Sequence, residues 1–198
     1  MIVRKAVERR DEASLLENTI NQLDAEDCLR HINGRLYGND YEERLFNVAM
    51  ELCITWMNRI LVLKLLEAQM LQHHNEHAIS IFLSITKIHD HDDLNTLFFQ
   101  VLARDMGSRT HSIMRDFAYV PYLNSSLFEV TDLESKTIKI NSLSQRTVLP
   151  VLASSVLRNK KRNLQVNALP TLQYLFAFLD AYNFASEGSE EVQEEAET

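Results

Sequence analysis

Two short stretches of this chain are rich in side chains that bind metal ions. His73, His74 and His77 form an HHxxH pattern, and residues 89–93 (His89–Asp93) read His-Asp-His-Asp-Asp. Two histidines four positions apart share one helix face and can hold a zinc ion, with carboxylates completing the shell. An upstream histidine paired with a downstream aspartate, here Asp116 or Asp132, is also typical of metal-dependent phosphohydrolases of the HD type. Adjacent residues point apart, however, so a solvated loop and a helix cap is the simpler interpretation.

A second pattern combines an acid with the triplet Glu134–Lys136. With Asp116 or Asp132 before it, this is the acid…ExK pattern of restriction nucleases, in which carboxylates bind Mg²⁺ and the lysine assists the attacking water. The triplet is common by chance, and it precedes a predicted strand instead of lying within one. Cys28 and Cys53 lack the histidine partner of a nucleophile, and four scattered glycines build no methyl-donor loop. We therefore predict no catalytic, cofactor-binding or metal-binding residues.

A basic loop follows in the C-terminal third of the chain. Its cationic side chains are Arg158, Lys160, Lys161 and Arg162. Contacts from such residues to DNA phosphates add affinity and salt dependence but read no sequence. These residues are therefore candidate contacts to the DNA backbone, and the alternative is a solvated loop.

Composition and charge limit the remaining choices. The chain has 28 acidic residues and 20 Lys and Arg, and six of the acids lie in residues 187–198. The rest of the chain is therefore nearly neutral, and its charge does not exclude a nucleic-acid partner. Two cysteines form no disulfide framework and suit a reducing cytosol, which predicts a cytoplasmic location. The charged Met1–Arg10 segment is no signal peptide. Polar residues interrupt the long apolar segment, so no membrane span is expected.

A long central helix is the main predicted element. Asp40, with Glu43 three positions later, has the residue types of an N-cap and its capping partner. From there a helix of about 30 residues would run to Gln72, and apolar residues on nearly every side indicate that it is buried. Its polar residues Asn58, Arg59, Lys64 and Glu67 either form a narrow solvent stripe or pair with each other. The alternative is that Arg59 is buried and pairs with an acid such as Asp92 or Asp93.

Shorter elements complete the predicted fold. Helices are expected at residues 9–29, 94–103, 108–117 (capped by Ser108) and 169–184, and a strand at Thr137–Ile140 would pair with Thr147–Leu152. The fold class is mainly α, an irregular helical bundle around a long central helix, with a small β element after residue 129, at about 129–152. The domain spans residues 1–186, and residues 187–198 form an acidic disordered tail.

Four segments resemble the helical region of type IIG restriction–modification enzymes, which join a nuclease to an adenine-specific DNA methyltransferase. They are residues 45–71 (LFNVAMELCITWMNRILVLKLLEAQML), 92–103 (DDLNTLFFQVLA), 120–129 (VPYLNSSLFE) and 172–195 (LQYLFAFLDAYNFASEGSEEVQEE). The resemblance extends from about Glu12 to Glu194. In that family the region connects the two catalytic modules, whose signatures are missing here, and it implies a non-catalytic fragment that positions them on double-stranded DNA. S-adenosylmethionine and Mg²⁺ are implied for the parent enzyme, and none for this fragment.

The segment YLNSSLF is similar to a YLN(G/S)(G/S)LF form of the same family. Its polar residues can satisfy backbone groups in a compact turn while its apolar residues anchor the turn in the core. The predicted structural motif is therefore Tyr122, Leu123, Asn124, Ser125, Ser126, Leu127 and Phe128. A free-standing helical protein-interaction module and a metal-dependent phosphohydrolase remain alternative functions.

Overall fold

The computed structural model describes residues 15–73, 83–118, 120–123, 125–140, 148–151, 155–158 and 168–182. These residues are mainly α-helical, as predicted. They form helices α1 (Leu15–Ala25), α2 (Tyr41–His73), α3 (His91–Thr96), α4 (His111–Asp116), α5 (Asp132–Lys136) and α6 (Thr171–Asp180). Single helical turns lie at Cys28–His31, Gly34–Leu36, Met106–Ser108, Ser126–Phe128 and Val156–Arg158. No helix among these residues is long and apolar enough to cross a membrane.

The start of α2 is fixed by two hydrogen bonds of Glu43, one of which confirms Asp40 as the predicted N-cap. The Glu43 amide donates to Asp40 Oδ1 at 2.8 Å, and Glu43 Oε2 accepts from the Asn39 amide at 2.8 Å. Gly38 precedes them with φ 146°, and a Cβ there would lie 2.6 Å from Glu43 Cγ. These bonds satisfy amide groups that the first helical turn leaves without partners.

The main core surrounds α2, as its apolar composition predicts. Leu23 of α1 is fully buried, as are Val48 and Leu63 of α2. Helix α3 begins at the cap Asp90, which accepts from the Asp93 amide, and then widens into a π-helical segment at Leu97–Leu102. Leu97, Phe98, Val101 and Leu102 of this segment are buried in the main core.

The β element differs from the prediction. Strand β1 (Val148–Pro150) pairs antiparallel with β2 (Ala168–Pro170), so its partner is not Thr137–Ile140, which is not a strand. The chain at 137–140 is used instead to bury Ile138 and Ile140 in the main core. A second, small apolar cluster of Val151, Leu157 and Leu169 lies beside the strand pair.

One further prediction can be compared with the structure at its boundaries, and another cannot. The helix expected at 108–117 spans only His111–Asp116, and its cap is Thr110, whose side chain accepts from the Ile113 amide, instead of Ser108. The acidic tail at 187–198 lies outside the described residues.

Replacing Asp40 with Ala should lower the free energy of unfolding by about 1 kcal/mol, because the Glu43 amide loses its acceptor. Asp40→Asn is the matched control and should be close to wild type, since asparagine caps helices as well as aspartate does. Urea denaturation followed by circular dichroism measures both. Equal losses in the two variants would contradict a capping role for the side chain.

Candidate functional site

A buried arginine lies at the middle of the central helix. Arg59 of α2 has no solvent exposure, and all three of its side-chain nitrogens donate hydrogen bonds. Nε donates to the Leu127 carbonyl (2.8 Å) and Nη2 to the Glu129 carbonyl (2.8 Å). Nη1 and Nη2 form a two-pronged pair with the carboxylate of Glu134, at 2.5 and 2.8 Å. The guanidinium therefore fixes both the turn at 126–128 and helix α5 against α2.

Glu134 is held in place by its own helix. The Thr131 hydroxyl accepts from the Glu134 amide (3.1 Å), and Glu134 Oε2 accepts from the Thr131 amide (2.9 Å), which is a complete capping box. Burial alone would raise the pKa of Glu134, but the hydrogen bonds from Arg59 and Thr131 outweigh it and lower the pKa. The Glu134 carboxylate is therefore held in its charged form, and it pairs with the Arg59 guanidinium, which has no contact with solvent.

Aromatic rings enclose the arginine on the α3 side. The guanidinium carbon lies 4.9 Å from the centroid of the Phe99 ring and 5.8 Å from that of Phe98. Phe98 in turn stacks on Phe128, with centroids 6.0 Å apart, and Lys139 Nζ lies 5.3 Å from the Phe99 centroid. Cation–π contacts of this kind stabilise a desolvated guanidinium. We call Arg59, Glu134, Phe98, Phe99 and Phe128 the arginine cluster.

Of the three possibilities for the polar residues of α2, the structure shows parts of each. Asn58 is exposed, whereas Arg59 is buried and paired. The predicted partners Asp92 and Asp93 are wrong, because Glu134 takes that place and Asp93 binds His89 instead. The reason is that α5 brings Glu134, which also closes the capping box of that helix, to the side of α2 that Arg59 faces.

Lys64 and Glu67 pair with each other, as one of the alternatives held. Lys64 Nζ is 3.2 Å from Glu67 Oε2 and also bonds Asp180 of α6. Burial would lower the pKa of Lys64, but the bond to Asp180 and the attraction of Glu67 raise it. Glu67 Oε1 accepts from the Leu83 amide at 2.6 Å. The pair therefore joins α6 and the chain at Leu83 to the second half of α2.

The acid…ExK residues are engaged separately. Glu134 is buried with Arg59, whereas Asp132 is exposed and pairs with Lys136 at 2.6 Å. The triplet lies on a helix, where Lys136 reaches Asp132 at the surface while Glu134 is buried against Arg59. This geometry does not bring two carboxylates and a lysine to one magnesium ion.

The YLNSSLF motif is anchored at its C-terminal end. Phe128 is 1% exposed, and Leu123 and Leu127 are partly buried against the main core. Ser125 Oγ accepts from the Leu127 amide at 3.3 Å, as expected for a serine in a compact turn. Tyr122 is 39% exposed, so the prediction that it anchors the turn in the core is wrong. Asn124 lies outside the described residues.

The histidine patterns do not form one site in the part of the chain that the structure describes. His89 Nδ1 is 3.0 Å from Asp93 Oδ2 at the surface, whereas His91 is buried edge-on against Trp56, with ring centroids 5.8 Å apart. No group of three metal-binding side chains occurs among the described residues. The His73 side chain and residues 74–77 lie outside them.

His91 is a buried base that sequence reasoning did not separate from its neighbours. It is 6% exposed, and neither ring nitrogen has a hydrogen-bond partner. Burial lowers the pKa of His91, against the opposing attraction of Asp90 and Asp92. The imidazole is therefore held neutral at neutral pH.

Arg109 is a second buried arginine, which the sequence analysis missed. It is 6% exposed and donates to the carbonyls of Val101 (2.8 Å), Val120 (2.9 Å) and Arg104 (3.3 Å). It thus joins the end of the π-helical segment to the start of the VPYLNSSLFE segment. No local pattern marks it, since its partners are backbone oxygens.

The basic loop falls largely outside the described residues. Arg158 ends a single helical turn at Val156–Arg158, but neither its side chain nor Lys160, Lys161 and Arg162 are described. Their contact with DNA stays a prediction.

The fold and the site together define a mainly helical domain built around a buried Arg–Glu pair. A family model described as a domain of unknown function, DUF7814, matches residues 1–198. The chain belongs to this family. No curated protein and no solved structure matches it.

Glu134→Gln should lower the free energy of unfolding by about 3–5 kcal/mol, because it leaves the Arg59 charge buried without a counter-charge. The double variant Arg59→Met/Glu134→Leu removes the unpaired charge and should recover part of that loss, but not all, because the Leu127 and Glu129 carbonyls and the Thr131 amide lose their partners. The exposed pair Asp132/Lys136 is the matched control, and the same replacement there (Lys136→Met/Asp132→Leu) should change stability by less than about 1 kcal/mol.

The Arg59–Glu134 pair also predicts acid sensitivity. The folded state lowers the pKa of Glu134, so its stabilisation is present above the unfolded pKa of about 4.3 and is lost as the pH falls through the folded value. Denaturation at pH 7 and pH 3 should therefore show a smaller acid loss in the double variant than in wild type. An equal loss would contradict the pair as its source.

His91→Leu should remove a second pH dependence. Because burial lowers the folded pKa of His91, the unfolded state binds its proton first, and stability should fall as the pH drops below about 6.5. Thermal melts from pH 7.5 to 5 should therefore show a shallower slope in His91→Leu than in wild type. His111→Leu, at an exposed histidine, is the control and should keep the wild-type slope.

Proposed function

We propose that this chain is a non-catalytic helical connector of the type IIG restriction–modification kind, which holds a nuclease module and an N6-adenine methyltransferase module on one DNA duplex. The observation that carries the proposal is the position of Arg59. It belongs to the first segment of the resemblance, contacts Phe98 and Phe99 of the second, and bonds Leu127 and Glu129 of the third. Three of the four segments that carry the resemblance therefore meet at one buried group.

Rigidity suits a connector. Helix α2 has 33 residues, which makes it about 50 Å long at 1.5 Å per residue. Two ion pairs tie other helices to different points along it: a buried pair ties α5 at Arg59, and a partly exposed pair ties α6 at Lys64. A helix braced in this way keeps the distance and orientation between its two ends nearly constant, which is what two modules acting on one duplex require.

The remaining parts of the proposal follow from the parent enzyme class. Double-stranded DNA and the two adjoining modules are the partners, and S-adenosylmethionine and Mg²⁺ would be held by those modules. Contact with the duplex would come from Arg158, Lys160, Lys161 and Arg162. A cytoplasmic location belongs to the proposal, and the free thiols of the buried Cys28 and Cys53 support it.

A free-standing helical interaction module is the second candidate. The observation that favours it is a set of exposed apolar side chains, among them Leu36 (77% exposed) and Ile54 (52% exposed). Exposed apolar side chains mark a protein-binding surface where they form one contiguous patch.

The whole chain should bind a short DNA duplex of unrelated sequence at low salt, with an affinity that falls as salt rises. Changing Lys160, Lys161 and Arg162 to Ala should make the slope of log affinity against log salt shallower by up to about 3. The reason is that fewer counterions are released from DNA when fewer phosphates are contacted. Fluorescence anisotropy measures both. The control removes the same number of charges from exposed positions elsewhere, in Arg35→Ala/Arg104→Ala/Arg115→Ala, and should keep the wild-type slope.

The same preparation should neither methylate nor cut DNA in the presence of S-adenosylmethionine and Mg²⁺. Turnover of either kind would overturn a non-catalytic connector. Absence of binding at low salt, or equal slopes in the two triple variants, would overturn contact through the basic loop and favour the interaction module.

A further inference from the structure

The contact between α2 and the first turn of α3 contains three buried nitrogen atoms that no group among the described residues satisfies. They are Trp56 Nε1 and both ring nitrogens of His91. Trp56 is 3% and His91 6% exposed, and their rings meet edge to face with centroids 5.8 Å apart. A buried nitrogen without a hydrogen-bond partner costs free energy, which contact with water would relieve. The contact is therefore a weak point in the packing between the two helices.

The first turn of α3 can move away from α2 without losing its own hydrogen bonds. The His89 amide donates to Asp93 Oδ2 (2.9 Å), and the Asp93 amide donates to Asp90 Oδ1 (2.8 Å). These bonds lie within the segment, so they survive when the segment moves as a unit. What holds the segment against the core is apolar contact, since Ile88 and Leu94 are fully buried.

The chain that follows this turn is fixed by contacts with other segments. Asn95 Nδ2 donates to the Ile140 carbonyl (3.3 Å), and the Phe99 ring packs on the Arg59 guanidinium. An opening of residues 88–94 therefore ends at these contacts and leaves the arginine cluster intact.

Two acids of α3 are the charged groups that act on His91. The attraction of Asp90 and Asp92 would raise the pKa of His91, but burial outweighs it and lowers the pKa. The protonated ring is therefore disfavoured as long as the contact with Trp56 is closed. Once the segment opens, the ring meets water and its pKa returns toward about 6.5.

Next to Trp56, the described residues of α2 offer no anion to a protonated ring. The titratable side chains one turn on either side of Trp56 are Cys53 and Arg59. Burial raises the pKa of the Cys53 thiol, which is therefore neutral, and Arg59 is itself a cation. A proton on His91 is thus accommodated better after the ring has left α2.

We propose that the contact between Trp56 and His91 is an acid-sensitive switch. Protonation of His91 releases residues 88–94 from α2 and brings Trp56 into contact with water, while the arginine cluster stays closed. The open form binds the proton more tightly than the closed form does. The ratio of open to closed molecules therefore rises as the pH falls below about 6.5, by up to about tenfold for each pH unit. This local opening does not depend on the connector function.

Hydrogen exchange of the Trp56 indole N–H tests the proposal, because the chain has a single tryptophan and its NMR signal is unique. Rates are measured from pH 7.5 to 5 and divided by those of N-acetyltryptophanamide at the same pH, which gives the ratio of open to closed molecules. This ratio should rise with acid by up to about tenfold per pH unit. It should also exceed the ratio for the slowest amides of α2 by about tenfold or more, because those amides exchange only when the whole domain unfolds.

Two variants remove the proton-binding group. His91→Phe keeps an aromatic ring against Trp56 but takes up no proton, so the rise with acid should disappear. His91→Leu should lose the rise as well. The matched control is His89→Leu, which makes the same change at an exposed histidine of the same segment and should keep the wild-type slope.

Each other outcome overturns the proposal. A wild-type ratio that does not change with pH excludes opening driven by a proton. A rise that persists in both His91 variants, or that is also lost in His89→Leu, shows that His91 is not the group responsible. Equal ratios for the indole and for the slowest amides of α2 show that Trp56 meets water only when the whole domain unfolds.

Discussion

The rest of the structure depends on how one buried positive charge is compensated. Arg59 is fully buried in the middle of helix α2. Removing its charge from water costs free energy, which is offset only when its partners are well oriented. Its carboxylate partner, two carbonyl oxygens and two aromatic rings come from segments more than 38 positions further along the chain. Each of these groups contacts the guanidinium from a different direction. The guanidinium therefore fixes how the segments are arranged around α2.

The arrangement explains why the polar turns of this chain are ordered. Carbonyl groups at Leu127 and Glu129 would face the core without partners if Arg59 were absent, and such groups are costly to bury. Arg109 serves the carbonyls of Val101 and Val120 in the same way. Two arginines therefore replace the regular hydrogen bonds that a sheet or a longer helix would supply between residues 97 and 134.

Local sequence signals predicted the elements better than the contacts between them. The cap at Asp40 and the all-round apolar pattern sufficed to place α2, because both act within a few residues. The partner of Arg59 did not follow, since Glu134 is 75 positions away and periodicity says nothing about which segment packs there. The signal was present in another form: Thr131 and Glu134 have the spacing of a capping box, which marks a helix start instead of an ExK strand. The partner strand of Val148–Pro150 was missed because three residues are too few for alternation to show.

Glu134 belongs to two structures at once, the capping box of α5 and the ion pair with α2. A helix of five residues does not persist alone in water, so α5 forms only when Arg59 is there to receive its carboxylate. The two helices should therefore unfold locally together, as one cooperative unit. Amide hydrogens of α5 should then exchange with solvent only as fast as the middle of α2 unfolds.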